Sequence, residues 1–93
     1  MTLKNEETKQ LFDAILSLKT HDDCAKFFED ICTIKELQSM AQRLEVADLL
    51  RQKKTFTEIV SETGASTATI SRVNKCLMYG PGGYRLVLDI IKD

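Results

Sequence analysis

Between Gly64 and Tyr79 the chain carries Ser66, Thr67, Thr69, Ser71, Arg72 and Lys75, and no carboxylate. Short hydroxyl side chains bond phosphate oxygens or base edges, and a threonine methyl packs on the methyl of thymine. Arg72 and Lys75 suit a phosphate or the acceptor edge of guanine. Ala68 adds a small apolar contact among them, and Lys53, Lys54 and Thr57 stand a short distance upstream, where two cations could clamp a neighbouring phosphate. The chemistry these residue types offer together is recognition of duplex nucleic acid.

Such a set works only if one helix presents it and a second holds that helix in place. The spacing provides both. Thr55-Phe56-Thr57-Glu58 is a capping box that opens a short helix, and Gly64 stops it. Ser66 is the N-cap of the next helix, which runs to about Met78, with Gly80 a favourable residue just past its end. Ile59 faces this second helix from the first, and Ile70 and Val73, three apart, face back. Gly64 tolerates positive φ and Ala65 fits the crowded inner turn. Val60 is larger than the alanine common at its place, so the two helices are expected to sit slightly apart. The pattern predicts a helix-turn-helix over about 56–78, with Ser66, Thr67, Ala68, Thr69, Ser71, Arg72 and Lys75 on or beside the outward face. The alternative is a protein-interaction or adaptor module that keeps the helix-turn-helix as scaffold and uses the apolar N-terminal and C-terminal helices as contact surfaces; what separates the readings is salt-dependent binding to duplex DNA.

The rest of the chain is also helical by spacing, with no sustained period-2 alternation. Apolar positions predict a helix over roughly Asn5 to Leu18. A second short helix is signalled by Thr20 with Asp23 and by Cys24, Phe27, Phe28 and Ile31. The capping box Thr33-Ile34-Lys35-Glu36 opens a long third helix to about Arg51. Its apolar face, from Leu37, Met40, Ala41, Leu44, Ala47 and Leu50, is widened by Val46 and Leu49, which suits a central position. After Gly80-Pro81-Gly82-Gly83, a last helix over Tyr84 to Ile91 is apolar almost all round and needs a partner surface. The expected fold is all-α, about six helices, in one domain over 1–93.

Composition narrows the function. Among 93 residues, 43% are hydrophobic, and the formal net charge is −1. The first third is acidic, with four lysines against seven carboxylates in 1–32, and the middle is basic, with seven cations against five carboxylates in 33–79. No apolar run approaches the ~20 residues of a membrane span, and the start lacks a signal-peptide core, so a cytoplasmic protein is expected. Cys24, Cys32 and Cys76 form no C-x-x-C pair and His21 is the only histidine. The cysteines are expected as buried apolar thiols, with no metal site and no cofactor. No nucleotide-binding loop is present, since Gly80-Pro81-Gly82-Gly83 is not followed by Lys-Ser or Lys-Thr, and an enzyme is not expected.

Several stretches carry a family resemblance: Leu44-Glu45-Val46-Ala47-Asp48-Leu49-Leu50, Glu58-Ile59, the run from Gly64 to Val73, and Tyr79-Gly80-Pro81-Gly82-Gly83-Tyr84. From Thr33 to Tyr79 the chain resembles the Trp repressor superfamily, and within it the small TrpR-related proteins of the YerC/YecD type. The resemblance implies an intertwined homodimer and operator binding as a transcriptional regulator, in the manner of a repressor. In that family two arginines sandwich the indole ring of the corepressor. Arg72 matches the one on the reading helix, and the other falls at Gln42 or Arg43. Where the family has glycine after the reading-helix arginine, this chain has Val73; Cys76 stands in place of a serine. L-tryptophan is therefore not expected as a corepressor.

Overall fold

A computed structural model describes residues 5–92. The order is α1 (Glu6–Leu16), α2 (His21–Ile31), α3 (Ile34–Arg51), α4 (Phe56–Thr63), α5 (Thr67–Tyr79) and α6 (Gly83–Lys92). No strand occurs among the described residues.

Side chains written next to each helix start set the boundaries. Asn5 Oδ1 accepts from the Thr8 N–H at 2.7 Å, Thr20 Oγ1 from Asp23 at 3.0 Å and Ser66 Oγ from Thr69 at 3.1 Å. Thr33 and Glu36 exchange both bonds of a capping box, at 3.1 and 2.8 Å, and Thr55 and Glu58 do the same at 3.1 Å each. Each bond satisfies one of the amides a helix start leaves without a partner. The first helix ends at Leu16, short of the expected Leu18, because the Ser17 hydroxyl donates to the Ala14 carbonyl at 2.6 Å and competes with the next turn.

The two boxes carry a pH dependence. The Thr33 backbone N–H, then its hydroxyl, holds the Glu36 carboxyl below its ordinary 4.5, and Thr55 acts on Glu58 in the same order. A lowered folded value means this stability is present above the ordinary value and lost as pH falls through the lowered one. Thermal melts are expected to show an acid limb below 4.5 that flattens in the Glu36→Gln, Glu58→Gln double variant.

Two compact units divide between Leu37 and Gln38, within α3. In the first, no described residue is fully buried. Phe27 and Phe28 meet edge to face at 5.3 Å, while Phe12, Leu16, Ile31 and Ile34 are exposed. The second unit holds the core: Val46, Ala47 and Leu49 of α3, Ile59 of α4, Ala65 in the turn, Ile70 and Val73 of α5, and Leu88 of α6. Leu44, Leu50, Leu77 and Tyr84 pack against it.

Three expectations are corrected here. The expected apolar face of α3 runs too far toward its start: Ala41 is exposed, and the buried run is Val46 to Leu49. That run includes Asp48, which accepts from Gln52 at 3.1 Å and meets Lys92 of α6 at 3.5 Å. Cys76 is exposed rather than buried, since it lies on the flank of α5 away from Ile70. Gly80 is extended, at φ −80° and ψ −176°, and not left-handed. Its lack of a side chain matters for another reason: a Cβ there would come 2.5 Å from the Cys76 carbonyl oxygen.

In α6 only Leu88 is buried, and Leu86, Val87, Ile90 and Ile91 remain exposed. Arg51 of α3 pairs with Asp89 at 2.6 Å, so polar bonds reinforce a thin apolar contact.

Candidate nucleic-acid interface

The hairpin of α4 and α5 closes over a small apolar seam. Ile59 and Ile70 are wholly inaccessible, Val73 is 1% exposed and Ala65 2%. Gly64 takes φ +71° and returns its N–H to the Val60 carbonyl at 2.9 Å. This left-handed residue reverses the chain so that α5 starts three residues later. Val60 is 38% exposed, whereas its neighbour Ile59 is wholly inaccessible. Thr63 braces the turn: its hydroxyl donates to the Ile59 carbonyl at 2.7 Å and accepts from the Ala65 N–H at 3.1 Å. The Thr63 carbonyl accepts from the Gln42 amide of α3 at 3.2 Å.

With Ile70 and Val73 inward, Thr67, Ala68, Ser71, Arg72 and Lys75 are all exposed along α5. Neither Arg72 nor Lys75 makes an ion pair among the described residues. The hydroxyls differ in availability. Ser66 Oγ caps the Thr69 amide and donates to Thr69 Oγ1 at 3.1 Å, so these two groups are engaged with each other. Thr67 and Ser71 make no such side-chain bond among the described residues. The start of α5 also directs backbone N–H groups and the positive end of the helix dipole outward, an arrangement that favours an anion.

The residues before α4 behave differently. Thr57 is exposed in its first turn. Lys54 is half-buried and lies 3.9 Å from Glu58, so part of its charge is already met. Lys53 is exposed and takes φ +67°, the one non-glycine residue with positive φ among those described. It ends α3 in a Schellman turn: its N–H donates to the Leu50 carbonyl at 3.0 Å, and that of Lys54 to Leu49 at 3.1 Å. Glycine is the favoured residue at that position, and a lysine there carries strain of about 1–2 kcal/mol. Lys53→Gly is expected to raise unfolding stability by about 0.5–1 kcal/mol, because glycine's greater freedom in the unfolded chain offsets part of the relief. The same variant is expected to weaken duplex binding and flatten its salt slope by about 1. Urea denaturation and fluorescence anisotropy at several salt concentrations measure the two effects.

Gln42 is the residue of this region that spacing alone did not assign to the turn. A signal was present, since Gln42, Val46 and Leu49 follow i, i+4, i+7, which puts a polar group on the buried stripe of α3. Its neighbour Arg43 lines a cavity of about 510 Å³ with Met40, Leu44, Cys76, Tyr84 and Val87. Arg72 is not part of that lining.

Comparison with known proteins agrees with this architecture. The chain is 56% identical over 91 residues to the uncharacterized protein YerC of Bacillus subtilis (strain 168), covering 98% of this chain and 88% of that one. The crystal structure of a TrpR-like protein from Eubacterium eligens ATCC 27750 superposes with a TM-score of 0.94 at 53% identity, covering 97% and 93% of the two chains. A further crystal structure, from Staphylococcus aureus, gives 0.93 at 46% identity, with 97% and 90% covered. The Trp repressor protein family model matches residues 6–92. With a family match over nearly its whole length and 56% identity to a relative covered to 88%, the chain belongs to the Trp repressor family.

Proposed function

We propose that this protein is a homodimeric, sequence-specific transcriptional regulator, a repressor by type, that reads duplex DNA in the cytoplasm with α5 of its helix-turn-helix. The observation that carries the reading is the exposed face of α5: Thr67, Ala68, Ser71, Arg72 and Lys75 stand together with no carboxylate between Gly64 and Tyr79. Hydroxyls at the helix start would meet base edges, and Arg72 and Lys75 a phosphate or guanine. Ser66 and Thr69 hold the start of the helix in shape, and Lys53, Lys54 and Thr57 contact the flanking backbone.

The second protomer in this reading covers the apolar residues that one chain leaves in water. Phe12, Leu16, Leu86, Ile90 and Ile91 are 45–82% exposed. A shared core would also make 1–93 a single folding unit whose unfolding midpoint rises with concentration. Sedimentation as a monomer at micromolar concentration would remove the dimer.

L-tryptophan has no place in this account. Three observations support this: Val73, which the resemblance sets where the family has a glycine, is buried; Gln42 is bonded to the Thr63 carbonyl; and Arg43 lines a cavity without Arg72. A charged amino acid gains little affinity from apolar contact alone, since its ends need partners.

Purified protein mixed with fragmented genomic DNA, followed by recovery and sequencing of bound fragments, tests the function directly. A shared motif whose affinity falls steeply with salt is the expected result. Recovery of no enriched fragment would leave the hairpin a scaffold for protein contacts. Adding millimolar L-tryptophan to the selected duplex is expected to leave the affinity unchanged.

A further inference from the structure

We infer that Gln42 is the positioning residue that fixes the reading hairpin on α3, so that the chain itself, without an effector, holds the hairpin ready for DNA. This rests on the duplex-reading assignment above and names how that site is regulated.

Ile59, Ile70 and Val73 of the hairpin share one buried cluster with Val46, Ala47 and Leu49 of α3. Packing of ridges into grooves sets a crossing angle only to within about 15–20°, which leaves the hairpin's direction to be narrowed further. That narrowing comes from the bond between Gln42 Nε2 and the Thr63 carbonyl, 3.2 Å long and spanning 21 residues of sequence. Thr63 lies in the last turn of α4, where carbonyls lack a partner within the helix. The Gly64 N–H goes to Val60 and the Ala65 N–H to the Thr63 hydroxyl. That hydroxyl holds the Ile59 carbonyl in turn. Gln42 therefore grips the residue on which the whole turn is built. From Thr63 the chain passes through Gly64, Ala65 and the Ser66 cap to Thr67, the first residue of the reading helix. A shift in angle at Thr63 is carried directly to the groups that meet DNA.

Without the bond, the hairpin would spend part of its time misaligned, and the apparent dissociation constant would rise as the competent fraction falls. One hydrogen bond of this kind corresponds to roughly a three- to tenfold loss of affinity. No phosphate contact would be removed, so the salt slope would stay the same. This separates Gln42 from a DNA-contacting residue, whose loss flattens the slope by about 1.

The test uses Gln42→Met, which keeps the length and the neutral charge and loses the donor, beside Gln42→Leu, in the full chain. Duplex affinity is measured by anisotropy across a salt series, and amide hydrogen exchange is followed at Ala65 and, as a distant core reference, at Leu49. The expected result is a loss of affinity of roughly three- to tenfold in both variants with unchanged slope. Exchange should quicken at Ala65 and stay the same at Leu49. Wild-type affinity in both variants, or a slope flattened as by a lost phosphate contact, would overturn the inference. Should the wild-type protein bind no duplex, the proposed function falls by itself. The clamp is then judged at Ala65, where faster exchange in both variants sustains it and unchanged exchange removes it.

Discussion

Arg72→Ala and Lys75→Ala are each expected to weaken binding to a selected duplex, and the double variant to bring it close to non-specific affinity. Both residues are exposed on α5, and neither makes an ion pair among the described residues. Their removal leaves no buried group unpaired, so stability should stay within about 0.5 kcal/mol of wild type. The cost falls on recognition. A lost base contact is worth about 1–3 kcal/mol, roughly ten- to a hundredfold, and relaxes the preference at one base pair. A lost phosphate contact lowers affinity for every sequence and flattens the salt slope by about 1. Anisotropy with the selected duplex and with single-base variants tells the two apart for each residue. Both single variants binding like wild type, in a correctly folded protein, would remove α5 as the reading helix.

The largest effect on stability is expected from Ile70→Ala. Ile70 is wholly inaccessible and sits in the core formed by α3, α4, α5 and α6. Truncating a buried isoleucine to alanine costs about 2–5 kcal/mol, the transfer term plus the cavity left behind. Domains of this size hold only about 5–15 kcal/mol in total, so the variant should lose much of its margin. Val60→Ala is the control. Val60 stands one residue after Ile59 but is 38% exposed, and its truncation should cost much less. Chemical denaturation at one fixed protein concentration measures both, the fixed concentration being needed if the core is shared between protomers. Equal losses at the two positions would mean that the seam between α4 and α5 is not where the hairpin gains its stability.

Features that depend on neighbours within about four residues could be read from the sequence. Both capping boxes, the Ser66 cap, the stop at Gly64 and the inward pair Ile70 and Val73 are of this kind. A helix start is decided by which nearby oxygen meets an orphan amide, and a helix face by a period of 3.6, and both are written locally. Together they determined the six helices, the position of α5 and the side chains on its outer face. Features that depend on the angle between helices were decided by tertiary structure alone. Val60 is left 38% exposed while Ile59 and Ala65 are buried. Asp48 is buried because α6 lays Leu88 and Lys92 against that stretch of α3. Lys53 is driven to positive φ by the tight reversal from α3 into α4, with no glycine to mark it. Gln42 finds Thr63 only once α3 and the hairpin have packed: spacing puts a polar group on the buried stripe of α3, but its partner 21 residues away is not written there.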